Sequence, residues 1–250
     1  MAFKCRSFLL GFAALAALFA VSAPQRIWAQ CQPPPTQCTD FADMAGSGFL
    51  SAAKSACDYG LMKPCGANPP ASANGSPEVF FCPGEFMTRE DMAVSLEKLY
   101  WGATFNPAPV VDSGFQDVPL GYCLGAWIKQ LASDGITTGC SANPPLYCPY
   151  SPVTRWQMAI FLGRVVSKRL GELVPTSGYI SGQFFNCAAG GTSLFADVLP
   201  TDQGCSHIHY IYAKQITLGC GTNPLRYCPG DPVVREQMAA FLVRARQLIP

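Results

Sequence analysis

The sequence predicts a mainly α-helical fold: three tandem helix-loop-helix repeats packed as one pseudo-threefold domain and reinforced by disulfides. Two observations predict it. A block that opens on Phe-x-Asp, runs through a helical stretch and a cysteine turn to an aromatic-Cys-Pro, and closes on an Arg-x-x-Met-Ala helix occurs three times. The cysteines recur with the blocks at matched spacing, in a chain whose first residues read as an export signal.

The first copy (41–101) contains Phe41-Ala42-Asp43-Met44, Cys65, Phe81-Cys82-Pro83 and Met87-Thr88-Arg89-Glu90-Asp91-Met92-Ala93, and a Pro/Ala/Ser/Asn insertion lengthens its loop after Asn68-Pro69-Pro70. The second (115–170) contains Phe115-Gln116-Asp117-Val118, Gly139-Cys140, Tyr147-Cys148-Pro149 and Thr154-Arg155-Trp156-Gln157-Met158-Ala159. The third (195–250) contains Phe195-Ala196-Asp197-Val198, Gly219-Cys220, Tyr227-Cys228-Pro229 and Val234-Arg235-Glu236-Gln237-Met238-Ala239, with both cysteines and the arginine 80 residues after their counterparts. Linkers are expected at 104–114 and at 171–194, which are rich in Pro and in Gly/Ser respectively.

Each repeat is expected to hold two helices. In the first helix of the second copy, Trp127, Ile128, Leu131 and Ala132 have helical apolar spacing that stops near Gly135. Asn68-Pro69-Pro70, Asn143-Pro144-Pro145 and Asn223-Pro224 then forbid continuation of the helix and present a loop. The second helix starts at the arginine signature. Thr154 and Gln157 have capping-box spacing, and Val153 and Met158 occupy the two positions of a hydrophobic staple. Met158, Leu162, Val165 and Val166 continue as a buried stripe, matched by Met92, Leu96, Leu99 and Tyr100 and by Met238, Leu242 and Ala245. Asp43, Asp117 and Asp197 are read as caps of the first helix or its preceding turn.

Residues 1–29 read as a signal peptide, with Lys4 and Arg6 before an apolar run from Phe8 to Val21 and Ala29 before the cut. The run is short for a spanning helix and ends at Pro24, so no transmembrane segment is expected in the mature chain. Residues 30–40 form a Pro-rich leader. Removing the signal takes Lys4, Arg6 and Arg26 from 17 basic residues, which leaves 14 against 16 acids and a net charge near −2. With no basic run, nucleic acid is not an expected partner.

Twelve cysteines remain after Cys5 is lost, an even number suited to an oxidising compartment. The common spacing pairs Cys140 with Cys148 and Cys220 with Cys228, and Cys65 with Cys82 is the equivalent across the longer loop. Cys187 with Cys205 is the further pairing favoured, because it would pin the Gly-rich stretch 178–192 to the third repeat. Cys31, Cys38, Cys57 and Cys123 are left without assignment. No Cys-x2-Cys occurs, so neither a metal nor another cofactor is expected, and His207 and His209, two residues apart, fall on different faces of a helix.

The blocks resemble S-layer homology repeats, a bacterial module that ties extracellular proteins to cell-wall polysaccharide. The family's Thr-Arg-Ala-Glu signature reads here Thr88-Arg89-Glu90-Asp91, Thr154-Arg155-Trp156-Gln157 and Val234-Arg235-Glu236-Gln237, with only the arginine present in all three. The resemblance implies a secreted, cell-envelope module that binds a wall-associated anionic polysaccharide noncovalently in grooves between repeats. Arg89, Arg155 and Arg235 are then the anion contacts, with Thr88 and Thr154 beside them and Trp156 as a stacking platform. A cation in a first helical turn is unfavourable against the helix dipole, which points to an anion that both guanidinium and helix amides meet. Trp127, Tyr147 and Tyr227 are further stacking candidates, with core packing the favoured role for the two tyrosines.

The rival reading is a structural or protein-interaction scaffold of the cell surface, whose partners are other surface proteins. A secreted hydrolase is a remote third. No Gly-x-Ser-x-Gly, His-Glu-x-x-His or P-loop pattern appears, and the chain is not expected to be an enzyme.

Overall fold

Residues 38, 40–68 and 78–250 are described by the computed structural model. The expected signal peptide, Cys31, nearly all of the leader and the tip of the first Asn-Pro loop lie outside the described residues. A short 3-10 turn (Ala42–Met44) leads into α1 (Leu50–Asp58), the hairpin β1 (Gly66–Asn68) and β2 (Glu78–Phe80), and then α2 (Arg89–Trp101). Next come α3 (Gly125–Ser133), β3 (Ser141–Ala142), β4 (Pro145–Leu146) and α4 (Arg155–Leu170). A hairpin of β5 (Ser177–Ile180) and β6 (Gln183–Asn186) precedes α5 (Cys205–Ala213), β7 (Gly221–Thr222), β8 (Leu225–Arg226) and α6 (Arg235–Leu248).

The expected class is corrected by this element order. The described chain is 36% helical and 14% extended, with several small antiparallel sheets, so it is a mixed helix-and-hairpin domain and not the mainly helical triple repeat expected. The Asn-Pro turns are the reason. Flanked by cysteines, they close as antiparallel pairs, with Ser141 opposite Leu146 and Gly221 opposite Arg226, where irregular loops were expected. The first hairpin is longer, with Gly66 opposite Phe80. A fourth, Ser177 opposite Asn186, stands inside the Gly-rich stretch read as a linker.

Two backbone features shape the hairpins. Gly139 and Gly219 have φ near +89° and +86°, and a Cβ at either would lie 2.4 Å from the carbonyl oxygen of Leu146 or Arg226, so only glycine fits. At the exit of each hairpin Cys82, Cys148 and Cys228 adopt φ of 55°, 59° and 56°. An aspartate holds each of these exits. Asp117 accepts from the amides of Tyr147 (2.8 Å) and Cys148 (2.7 Å), Asp197 from Tyr227 and Cys228 (both 2.8 Å), and Asp43 from Phe81 and Cys82. The recurring aspartate of the block is thus a hairpin clamp and not a helix cap.

The core lies where the stripes of α2, α4 and α6 meet. Met92, Leu96, Leu99, Met158, Leu162, Val165, Val166, Met238, Leu242 and Ala245 are all buried. Arg164 and Arg244, one turn further round, donate to the carbonyls of Ile136 (2.8 Å) and Ile216 (3.1 Å) and close the ends of the preceding helices. No helix among the described residues is long and apolar enough to cross a membrane.

Candidate functional site

The three signature arginines begin α2, α4 and α6, and each helix carries its arginine into the hairpin of another segment. Arg89 Nε donates to the Tyr147 carbonyl at 2.7 Å, Arg155 Nε to the Tyr227 carbonyl at 2.7 Å, and Arg235 Nε to the Phe81 carbonyl at 2.9 Å. Arg235 also donates through Nη2 to the Lys63 carbonyl at 2.6 Å. The guanidinium of Arg89 lies 4.8 Å from the Tyr147 ring and 5.4 Å from Phe161, that of Arg155 4.9 Å from Tyr227 and 5.6 Å from Phe241, and that of Arg235 5.1 Å from Phe81. In return Tyr147 donates its hydroxyl to the Arg89 carbonyl at 2.6 Å and Tyr227 to the Arg155 carbonyl at 2.8 Å.

Burial decides what these groups can reach. Arg89, Arg155 and Arg235 are 3%, 4% and 9% exposed, so the expected open grooves with arginines facing solvent are not present at these positions. Loss of hydration lowers the pKa of Arg89 and Arg235 from the ordinary guanidinium value, though nearby acids and Tyr147 counter it. Arg89 Nη2 and Arg155 Nη2 make no hydrogen bond to the described residues.

The helix amides expected to receive an anion are also occupied. The first amide of each helix donates to Ser151, Asp231 or Glu85, and the second donates to Pro149, Pro229 or Pro83, at 2.9–3.2 Å. Just ahead of them the staple residues close a ring: Met87 donates to Val233, Val233 to Val153, and Val153 to Met87, at 2.8–2.9 Å. The carbonyls of one segment's Cys-Pro turn therefore fill the helix N-terminus of another, and the arginine's position in the first turn is explained by carbonyls in place of a ligand anion.

The neighbouring candidates serve the same junctions. Thr88 Oγ1 accepts from the Asp91 amide at 3.2 Å and donates to Asp91 Oδ2 at 2.8 Å, so Thr88 caps its helix, while at the start of α4 the Gln157 side chain closes back on the Thr154 amide, which donates to Gln157 Oε1 at 3.3 Å. Trp156 is not the exposed platform expected. It is half-buried and packs against the start of α5, where a Cβ on Gly204 would lie 3.3 Å from the Trp156 Cβ. Its counterparts meet the turns ahead of the equivalent helices through polar contacts, Glu90 accepting from the Tyr122 hydroxyl and Glu236 from Ser47 Oγ. Tyr147 and Tyr227 are fully buried, and Trp127 packs against the core with an edge contact to Phe105.

The cysteines pair as Cys65–Cys82, Cys140–Cys148, Cys220–Cys228 and Cys187–Cys205, the four pairings expected, and as Cys38–Cys57. Cys123 is disulfide-bonded as well. Three Asp-Cys-Cys clusters and Cys187-Cys205-His209 have donor atoms close together, but every sulfur in them is in a disulfide and offers no thiolate to a metal. His209 is buried between the Cys205 carbonyl (2.8 Å) and the Leu194 amide (3.1 Å), stacked on Phe185 at 4.4 Å. His207 packs on the α4 backbone at Gly163, where a Cβ would lie 2.9 Å from its ring, and burial pushes its pKa down to about 4.

Two groups were not found from the sequence. Glu97 is fully buried, with burial first and Asp134 next pushing its carboxyl up to about 9. Both of its oxygens are out of contact with solvent, which removes it as an acid for a bound substrate. The second group is a cleft of about 360 Å³ at the C-terminal ends of α2 and α6, lined by Lys98, Trp101, Arg169 and Arg246 together with Tyr59 of the first segment. Basic and aromatic residues in last helical turns were the available signal, one that helix-dipole complementarity alone also accounts for.

No protein-family model and no curated protein matches the chain. The likeness to S-layer homology repeats therefore rests on the signature residues themselves.

Proposed function

We propose that the chain is an exported, disulfide-reinforced structural scaffold of the cell surface, in which the arginine signature holds segments together and does not grip a polysaccharide. The observation that carries this reading is the use of all three guanidiniums, at 9% exposure or less, on backbone carbonyls and rings of the same chain. Occupied helix amides support it further, because the anion would have to displace intramolecular hydrogen bonds. The disulfides suit an oxidising compartment outside the cytoplasm.

The test is to compare wild type and Arg155→Ala in two assays, thermal unfolding and sedimentation with purified cell-wall sacculi carrying or lacking their attached polymer. The scaffold reading expects Arg155→Ala to lose about 2–4 kcal/mol of stability, from a charge-assisted hydrogen bond and ring contacts. It expects the folded variant to sediment as wild type does. An unchanged stability with loss of polymer-dependent sedimentation would overturn it in favour of the wall-polysaccharide anchor.

A further inference from the structure

Of the five disulfides between described residues, four sit where a thiolate is disfavoured and one where it is stabilised. In each hairpin pair, Cys65–Cys82, Cys140–Cys148 and Cys220–Cys228, a carboxylate oxygen of Asp43, Asp117 or Asp197 lies within 4.8 Å of both sulfurs. Negative charge so close raises the pKa of a thiol and repels an incoming thiolate. In Cys38–Cys57, Cys57 stands in the last turn of α1, at the negative end of that helix.

Cys187–Cys205 is the exception. Cys205 is the first residue of α5, where the positive end of the helix favours an anionic sulfur. His209, one turn further on, places Nδ1 3.7 Å from Cys205 Sγ and 3.8 Å from Cys187 Sγ. The tautomer follows from the ring's partners. The Leu194 amide can only donate, so Nε2, 3.1 Å away, accepts, and the proton of the neutral ring is on Nδ1, which donates to the Cys205 carbonyl at 2.8 Å. Burial keeps the ring neutral by lowering its pKa, against the contrary effect of that carbonyl. The Nδ1–H thus stands beside both sulfurs, and stacking on Phe185 at 4.4 Å fixes the ring plane. Asp202, three residues ahead of Cys205, is exposed and turns its carboxylate to the Leu199 amide at 2.8 Å.

The two sulfurs also differ in access. Cys205 is fully buried, whereas Cys187 is half-buried and is followed by the exposed Ala188, Ala189 and Gly190. An incoming thiolate therefore meets Cys187, and the sulfur displaced is that of Cys205. Exchange is fastest when attack falls on the accessible sulfur and the better-stabilised thiolate leaves, which is the division of labour that the helix end and the His209 N–H set up here.

We propose that Cys187–Cys205 is a thiol-exchange site, at which the thiolate of a small thiol or a protein dithiol attacks Cys187 Sγ and Cys205 Sγ leaves with the bonding electron pair beside the His209 N–H. A sulfur–sulfur bond to the incoming group forms as the Cys187–Cys205 bond breaks. A second thiol then attacks that mixed disulfide. Two thiols are oxidised to one disulfide, the two cysteines are reduced, and the two thiol protons pass to them. Opening severs the covalent tie between the end of the β5–β6 hairpin and the start of α5. The site stands whether or not the scaffold reading does.

The test treats the full oxidised protein, without denaturant, with glutathione or with reduced thioredoxin at equal thiol concentration, followed by acid quenching and mass-spectrometric mapping. Cys187–Cys205 is expected to open about tenfold faster or more than any hairpin disulfide, with glutathione captured on Cys187 and not on Cys205. The faster of the two reagents tells a protein partner from a small thiol. His209→Phe should slow this opening about tenfold, and His209→Asn, which keeps an N–H donor, should restore much of the rate. Should neither variant fold, Cys187→Ser supplies a separate readout. The thiolate absorbance of its Cys205 should titrate about one pH unit or more below the ordinary thiol value of about 8.5. Hairpin disulfides opening as fast, glutathione found on Cys205, or a Cys205 thiol that titrates at or above the ordinary value would each overturn the proposal.

Discussion

Tyr147 and Tyr227 return a hydroxyl to the backbone of the arginine that reaches them, whereas Phe81, at the matching place in the first segment, has none to return. The carbonyl of Arg155 keeps its helical partner, so Tyr227→Phe is expected to cost about 1–1.5 kcal/mol in urea unfolding, with Tyr147→Phe costing the same. Glu97 makes a pH-dependent contribution. Its folded pKa is raised from 4.5 to about 9, so the folded state holds a proton that the unfolded state has released across that window. This contribution is complete below the unfolded value and is lost as pH rises through the folded one, at up to about 1.4 kcal/mol per pH unit. Glu97→Gln should flatten that decline, as read from denaturant midpoints at pH 5, 7 and 9. The recurrence of arginine was legible in the block, but its role was not. A guanidinium beside a helix N-terminus calls for oxygen atoms, and sequence does not say whether a ligand or a neighbouring turn supplies them.

The hairpins show the same division at the level of elements. The cysteine spacing disclosed which residues bond, and Thr154 with Gln157 and Val153 with Met158 disclosed where a helix begins. Strands of two residues such as Ser141–Ala142 contain no alternation to read, and β5 and β6 lie in a stretch whose glycines signal a linker. Because Cys140 and Cys148 are only 8 apart, replacing both with serine should remove about 2.5 kcal/mol in the chain-entropy account. Gly139→Ala tests the turn itself. Its Cβ would overlap the Leu146 carbonyl at a φ that alanine adopts with strain, and a loss of about 2 kcal/mol or more in thermal stability is expected.

The whole molecule is joined through a ring of backbone hydrogen bonds among Met87, Val153 and Val233, and through a packed interface of α1 with α6. Linear repeat arrays unfold in pieces because each unit touches only its neighbours. A closed ring has no terminal unit to fray, so calorimetric and van't Hoff enthalpies of unfolding should agree despite the repeated blocks. Arg155→Ala should lower the single transition without splitting it. The recurrence of the block was legible and led to the expectation of a mainly helical pseudo-threefold domain, but the small antiparallel pairs that make the fold mixed were not, and the hydrogen-bond ring among Met87, Val153 and Val233 depends on which surfaces meet after folding.

That closure also sets the timing of folding. Met87 donates its amide to the Val233 carbonyl, and Arg235 reaches back to Phe81 across a separation of 154 residues. Neither contact can form until the C-terminal segment is available, because the chain is made from its N-terminal end. The first segment must wait, with its cysteines and apolar stripe uncovered, until nearly the last helix has emerged. Long-range contacts of this kind slow folding and lengthen exposure to mispairing. The hairpin disulfides, whose partners are 8 to 17 residues apart, can close before the ring does, so each segment can be locked in its own shape while it waits for the others.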